Sequence, residues 1–143
     1  MSRGPRIVML ALAAFSWFPI TDASAADAEI SALGTQYVPQ VAVVSVSEGA
    51  GVVWTNREVA RYPVVLGYHN MIPDATVGAM AGNTPFPTTS PLLDPGETWR
   101  CDATASGLSC AGINGPPAVL GPGRYAYTCG VHPNQMRGIL VVS

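Results

Sequence analysis

The stretch RYAYTCGVHPNQMRG, residues 124–138, joins two strand-like segments through a turn. Its first six residues alternate with period two, which predicts a β-strand. The apolar run 138–142 that follows the turn predicts a buried final strand. Between the two strands, a thiol, an imidazole and a thioether lie close together, at Cys129, His132 and Met136. These donor groups make the turn a candidate functional site.

The remainder of the chain is also typical of short strands separated by turns. Gly and Pro are frequent, with 15 and 13 residues, and no stretch shows sustained helical periodicity. The pattern predicts one all-β domain, an antiparallel sandwich or barrel. A long connection is expected at 73–95, within which 76–81 is either a short helix or a strand. Runs rich in β-branched or aromatic residues occur at 37–46, 52–55, 62–68 and 97–100.

Composition and charge exclude several classes of function. The chain is 48% hydrophobic and 11% charged, which is not a disordered composition. It contains no Lys and carries a formal net charge of −2, so it lacks the basic face that nucleic-acid binding requires. We expect scattered acidic residues at the solvated surface and no catalytic carboxylate pair; these are Asp74, Asp94, Glu97 and Asp102.

The N-terminus has the pattern of a secretory signal peptide, residues 1–25. Arg3 and Arg6 precede the apolar run 7–18, and Ala23-Ser-Ala25 matches a cleavage site. The run is too short to span a membrane, which takes about 20 apolar residues. We therefore expect a periplasmic or secreted protein, with a flexible N-terminus at 26–35 and a single domain at 36–143.

The chemistry of the donor groups favours copper. The chain has only two histidines, and the second candidate, His69, ends an apolar segment. Imidazole suits copper, zinc, iron and nickel, whereas Cys and Met are soft ligands that favour Cu(I). Two His and a Cys in a plane, with a distant Met on the axis, form a blue-copper centre.

With these residues in place, the sequence resembles the cupredoxins, the small blue copper proteins such as plastocyanin, pseudoazurin and amicyanin. The likeness rests on Tyr-x-Tyr-x-Cys-x-x-His followed by Met-Arg-Gly, on His69-Asn70, on Val53-Trp-Thr-Asn56 and on Asp94-Pro-Gly-Glu-Thr98. It covers roughly 36–143. It implies a Greek-key β-sandwich that binds one type 1 copper ion.

The resemblance also implies a role for each site residue. His69, Cys129 and His132 would be the equatorial ligands, and Asn70 would brace the Cys loop by hydrogen bonds. The spacing Cys-x2-His-x3-Met differs by one residue from both amicyanin and plastocyanin loops. Gln135 is therefore an alternative axial ligand, but Met136 is favoured because the Arg-Gly that follows it keeps the family pattern.

The chain has three cysteines, which allow three single pairings. We favour a disulfide between Cys101 and Cys110, because they are close in sequence and bracket the turn-prone segment 102–107. Cys129 then stays free for a metal.

The expected function is one-electron transfer between redox protein partners. A weak, transient interface near His132 is expected in a monomer, with hypothetical docking contacts at Met71, Ile72, Pro73, Val131 and Pro133. The alternative is copper delivery or storage by the same fold. An enzyme is not expected, because an O2- or nitrite-reducing copper centre needs more histidines than this chain has.

Overall fold

A computed structural model describes residues 25–59, 67–78 and 82–143 of the chain. The described residues form short strands, one 3-10 turn at Val46–Glu48 and one short helix, α1, at Ala75–Gly78. The strands are β1 Ala28–Leu33, β2 Gln36–Val38, β3 Val41–Val44, β4 Val52–Asn56, β5 Ile72–Pro73, β6 Thr84–Pro85, β7 Thr98–Thr104, β8 Gly107–Cys110, β9 Ala118–Leu120, β10 Gly123–Thr128 and β11 Arg137–Val142.

These strands form two sheets. The first sheet has the order β2-β1-β4-β7-β8-β9, and the second has β3-β11-β10-β5 with β6 also paired to β10. The predicted all-β sandwich is confirmed, but its pairing is mixed. Strands β1 and β4, β3 and β11, and β6 and β10 run parallel, because the connections carry the chain from one sheet to the other.

The segment expected to be a flexible N-terminus contains a strand, so that expectation was wrong for 28–33. Strand β1 pairs in parallel with β4, and Ile30 lies beside Trp54 in the ladder. Ile30 and Ala32 are buried in the core. The signal was weak because only one large apolar residue of this strand faces inward, and alanine is a poor strand former.

The run 37–46 forms two strands in different sheets, where the sequence had suggested one continuous segment. Pro39 lies between β2 and β3, and proline cannot donate a hydrogen bond to a strand ladder. The strand expected at 62–68 lies largely outside the described residues. The segment 76–81 is helical as far as Gly78, and 79–81 also lie outside them.

Aromatic side chains fill the space between the sheets. Trp54 and Trp99 are buried, as expected, with ring centroids 5.1 Å apart. Phe86 and Tyr127 pack edge-to-face against Trp54. Tyr127 lies on β10, two residues before Cys129, so this rigid core supports the strand that leads into the donor-rich turn.

Within the described ranges, the structure contains no helix with the length and apolar character needed to cross a bilayer.

Candidate metal centre

The turn that carries Cys129, His132 and Met136 closes the β10–β11 pair. Thr128 and Arg137 are opposite each other in the ladder, so the turn is tied at both ends. The Cys129 N–H donates to the Met136 carbonyl at 2.9 Å, and the His132 N–H donates to the Cys129 carbonyl at 3.1 Å. The Thr128 hydroxyl donates to the Met136 carbonyl at 2.8 Å. These bonds fix the turn from within.

The structure brings three of the predicted ligands together. The Cys129 Sγ lies 3.7 Å from the His69 Nδ1 and 3.9 Å from the His132 Nδ1. All three donor atoms lie within 4.8 Å of one another. Bonds of about 2.3 Å to sulfur and 2.0 Å to nitrogen put the donors of one shared ion about 3.5–3.8 Å apart. The three side chains therefore fit a single metal ion.

His69 reaches this cluster from a distant part of the chain. It forms an isolated bridge with Leu93, in which the His69 N–H donates at 3.2 Å and the Leu93 N–H donates back at 2.8 Å. His69 is fully buried, whereas His132 is partly exposed. The cluster thus has one imidazole in the interior and one that reaches solvent.

The surroundings of Cys129 favour the thiolate, the form that binds metals. Burial raises the pKa of the thiol, but hydrogen bonds outweigh this effect and lower the pKa from 9.0 to about 6. They come from His69 and His132 and from the backbone of Asn70 and Val131. A soft anionic sulfur is therefore present at neutral pH.

Glu58 contacts the other nitrogen of His69. Its Oε1 lies 3.4 Å from the His69 Nε2, and the same oxygen accepts the Gly34 N–H. Burial lowers the pKa of His69, but contacts with Cys129 and Glu58 raise it overall. A proton held at Nε2 leaves Nδ1 free to bind a metal. No motif in the sequence surrounds Glu58, so its contact with His69 was not predicted.

Asn70 joins the two halves of the cluster. Its Oδ1 accepts the Gly130 N–H at 2.8 Å and lies 3.9 Å from the Cys129 Sγ. A Cβ added to Gly130 would lie only 2.9 Å from that oxygen, so the contact needs a glycine here. This arrangement suits the bracing role that the resemblance implies for Asn70.

Burial separates the two candidates for the axial position. Met136 is fully buried at the end of the turn. Gln135 is exposed and lines a polar notch of about 250 Å³ together with Gln40 and Arg137. Of the two candidates, Met136 is the buried one, and its carbonyl accepts the Cys129 N–H.

Two expectations about the surface near the site were wrong. Met71 is fully buried and its N–H donates to the Ser90 Oγ at 2.9 Å, so it cannot touch a partner. Asp74 is also buried, because its carboxylate pairs with Arg137 at 3.3 Å and caps Thr76. Val131, in contrast, is about half exposed, with 49% of its surface accessible.

Cys101 and Cys110 are opposite each other on β7 and β8. Their Cα atoms are 4.4 Å apart and their sulfurs lie at disulfide distance. Cys129 is free and buried. The structure thus keeps Cys129 apart from the other two cysteines.

Comparison with solved structures shows that the fold is cupredoxin-like. The chain is similar to a Cu-containing nitrite reductase from Thermus scotoductus SA-01, with 25% identity and a TM-score of 0.54 over 82% of this chain. The match spans 22% of that enzyme, about a fifth of its length.

The chain is also similar to an oxidized proline-to-glycine variant of amicyanin. The identity is 21% and the TM-score is 0.50, over 87% of both chains. This second likeness concerns the fold alone. The sequence matches no protein-family model and no curated protein.

Proposed function

We propose that this protein is a blue copper electron carrier that binds one type 1 copper ion. His69, Cys129 and His132 would be the equatorial ligands and Met136 the axial ligand. The observation that carries the proposal is the cluster of one thiol and two imidazole nitrogens, all within 4.8 Å of one another. The cupredoxin-like fold supports the same function.

Each residue would have a separate task. Copper, when bound, supplies a one-electron couple between Cu(I) and Cu(II). Cys129 provides a thiolate, since its pKa lies near 6. The two imidazoles bind through Nδ1 and suit either oxidation state, while Met136 offers a weak thioether that helps to set the potential. The hydrogen-bonded turn holds the donors in place, which keeps reorganisation on electron transfer small.

His132 is the proposed point of electron exit, because it reaches solvent while His69 is buried. Val131 and Pro133, on either side of it, are exposed and would contact a redox partner. Ile72 and Pro73 are less buried than Met71 and stay in the proposed docking surface. Weak redox complexes usually bury less than about 1,200 Å². We propose that the protein works as a monomer.

The same residues argue against an enzyme. The chain has two histidines, and both belong to the proposed centre. No imidazole remains for a second copper at which nitrite or O2 would be reduced. The likeness to a nitrite reductase concerns about a fifth of that enzyme and is consistent with a shared domain fold.

We also propose that the protein works outside the cytoplasm. The support is the signal-peptide pattern at 1–25 and the Cys101–Cys110 pair at disulfide distance, since disulfides persist in oxidising compartments. Peptide sequencing of the exported protein would test this assignment. A mature chain that retains residues 1–25 would contradict it.

The decisive experiment is a titration of the mature protein with Cu(II), followed by visible absorption and EPR. We expect an intense thiolate-to-copper band, saturation at one equivalent and a narrow copper hyperfine splitting. A protein that shows only ordinary Cu(II) features would exclude a copper–Cys129 bond. Slow redox with ready copper release would instead favour delivery or storage, so electron self-exchange should be measured on the same sample.

A further inference from the structure

Tyr37 is a buried tyrosine that reaches the candidate metal centre from β2. Its side chain is 2% exposed, and its hydroxyl donates to the Asn70 carbonyl at 2.6 Å. Burial, and then the charge on Cys129, raise the pKa of this hydroxyl. No sequence motif had pointed to a role for Tyr37 at this site.

The ring of Tyr37 contacts the second half of the site. It packs edge-on against Tyr127, with ring centroids 4.9 Å apart. Tyr127 lies on β10, two residues before Cys129. The Tyr37 hydroxyl therefore holds the backbone directly after His69. Its ring supports β10, the strand that leads to Cys129.

We propose that Tyr37 is a positioning residue that sets the distance between His69 and Cys129. The hydroxyl holds the Asn70 carbonyl, which fixes the peptide directly after His69. The Asn70 side chain in turn holds the Gly130 N–H, directly after Cys129. Tyr37 thus acts on both ligands through Asn70. This inference rests on the proposed function only for its spectroscopic readout.

The position of the hydroxyl bond makes this role different from that of an ordinary core tyrosine. Residues 36–38 belong to the first sheet, whereas β10 belongs to the second. Asn70 lies in the connection from β4 of the first sheet to β5 of the second, and it hydrogen-bonds to Tyr37 and to Gly130. Without the hydroxyl, the ring would still fill the core, but the Asn70 carbonyl would lose its donor. Local loosening at Asn70 and Gly130 would follow.

The test compares Tyr37→Phe with Tyr125→Phe. The control also removes a hydroxyl that donates to a backbone carbonyl, that of Gly121 at 2.9 Å, but at the other end of β10. Amide hydrogen exchange is measured by NMR on the full mature apoprotein. Loss of the Tyr37 hydroxyl should speed exchange at the Gly130 N–H several-fold to about tenfold, and the control should not.

An internal reference separates positioning from general destabilisation. The Ile139 N–H donates to the Gln40 carbonyl at 2.9 Å and reports on the second sheet. We expect its exchange to stay within about twofold in both variants. Equal acceleration at Gly130 and Ile139 would mean that Tyr37 only stabilises the core, and would overturn the proposal. So would unchanged exchange at Gly130.

A second readout uses the copper-loaded proteins. Tyr37→Phe should shift the thiolate-to-copper band and the copper hyperfine splitting, whereas Tyr125→Phe should leave both as in the unmodified protein. An unshifted spectrum in Tyr37→Phe would contradict the proposal. If the unmodified protein showed no blue copper spectrum, the proposed function would fail, and the exchange experiment would still test the role of Tyr37.

Discussion

The candidate site joins two regions that are built in different ways. The turn 129–136 contains three of the proposed ligands and is held by hydrogen bonds between its own residues. His69 is the opposite case, because Leu93 and Glu58 hold it from separate parts of the chain and the Asn70 side chain after it accepts the Gly130 N–H. The turn is thus a local structure, whereas the position of His69 depends on the closed sandwich. Mutations should affect the two regions differently.

The largest effect is expected from substitution of Cys129, which removes the thiolate ligand from the turn 129–136. Cys129→Ser should abolish the intense thiolate-to-copper band, because the band needs a copper–sulfur bond. The loss of copper affinity should exceed the roughly 10–100-fold that removal of an outer contact costs. Absorption and a competition titration with a copper chelator measure both effects. A blue band in this variant would refute the ligand assignment.

The next effect tests the contact that joins the two regions. Gly130→Ala places a methyl group 2.9 Å from the Asn70 Oδ1 and should cost about 1–3 kcal/mol of unfolding free energy. Asn70→Ala loses the hydrogen bond, on the order of 1 kcal/mol, but also removes the clash. The double variant should therefore be less destabilised than the sum. Urea unfolding of the apoproteins gives the four values.

The control for this cycle is Gly121→Ala. A Cβ at Gly121 has no atom within 4 Å, so the change should stay within about 0.5 kcal/mol. Strict additivity of Gly130→Ala and Asn70→Ala would show that the two residues do not interact. The turn would then be independent of the region around His69.

The pH dependence of the apoprotein tests the electrostatic link between the regions. In the folded chain the pKa of Cys129 is lowered to about 6 from its ordinary 9.0. Between these values the unfolded state binds more protons, so this group stabilises the fold fully above pH 9 and loses its contribution as pH falls toward 6. The raised pKa of His69 has the opposite effect. This group stabilises the fold fully below pH 6.5 and loses its contribution as the pH rises through the folded pKa.

Thiolate absorption in the ultraviolet measures this titration directly. We expect a midpoint near pH 6 in the folded apoprotein and near pH 9 in urea, and Cys129→Ser corrects for the tyrosines. A folded midpoint close to 9 would mean that the hydrogen bonds from His69 and Asn70 do not reach the sulfur.

The smallest expected effect distinguishes the axial donor from an equally buried methionine. Met136→Leu and Met71→Leu should each cost less than about 1.5 kcal/mol, because both residues are fully buried and the volumes are similar. Only Met136→Leu should change the potential, which we expect to rise since a donor to Cu(II) is lost. Voltammetry of both copper-loaded variants measures the two reduction potentials. Equal potentials would leave Gln135 as the alternative.

The same contrast explains what the sequence could predict. Cys129, His132 and Met136 are neighbours in the chain, so their spacing alone indicated a metal site. His69 could be added because the chain has a single other histidine. Glu58 and Tyr37 could not be found, since their contacts with the site join residues that are far apart in sequence. Periodicity describes one segment at a time and contains no information on such contacts.

The fold shows a similar division. The all-β class followed from the turn residues and from strands such as β10, whose alternation is visible. Strand β1 was missed because its burial depends on pairing with β4, and Asp74 was misplaced because its partner, Arg137, is distant in the chain. In both cases the deciding contact forms only after the chain has folded.

The separation of 60 residues between His69 and Cys129 has a consequence for the order of assembly. Closing so long a loop is entropically costly and waits for the β-pairing that surrounds it. Before the sandwich closes, the turn therefore offers only three of the four proposed donors, and the complete set arises late. We expect the metal to load into a finished protein, so that refolding of the apoprotein proceeds at the same rate with and without added Zn(II).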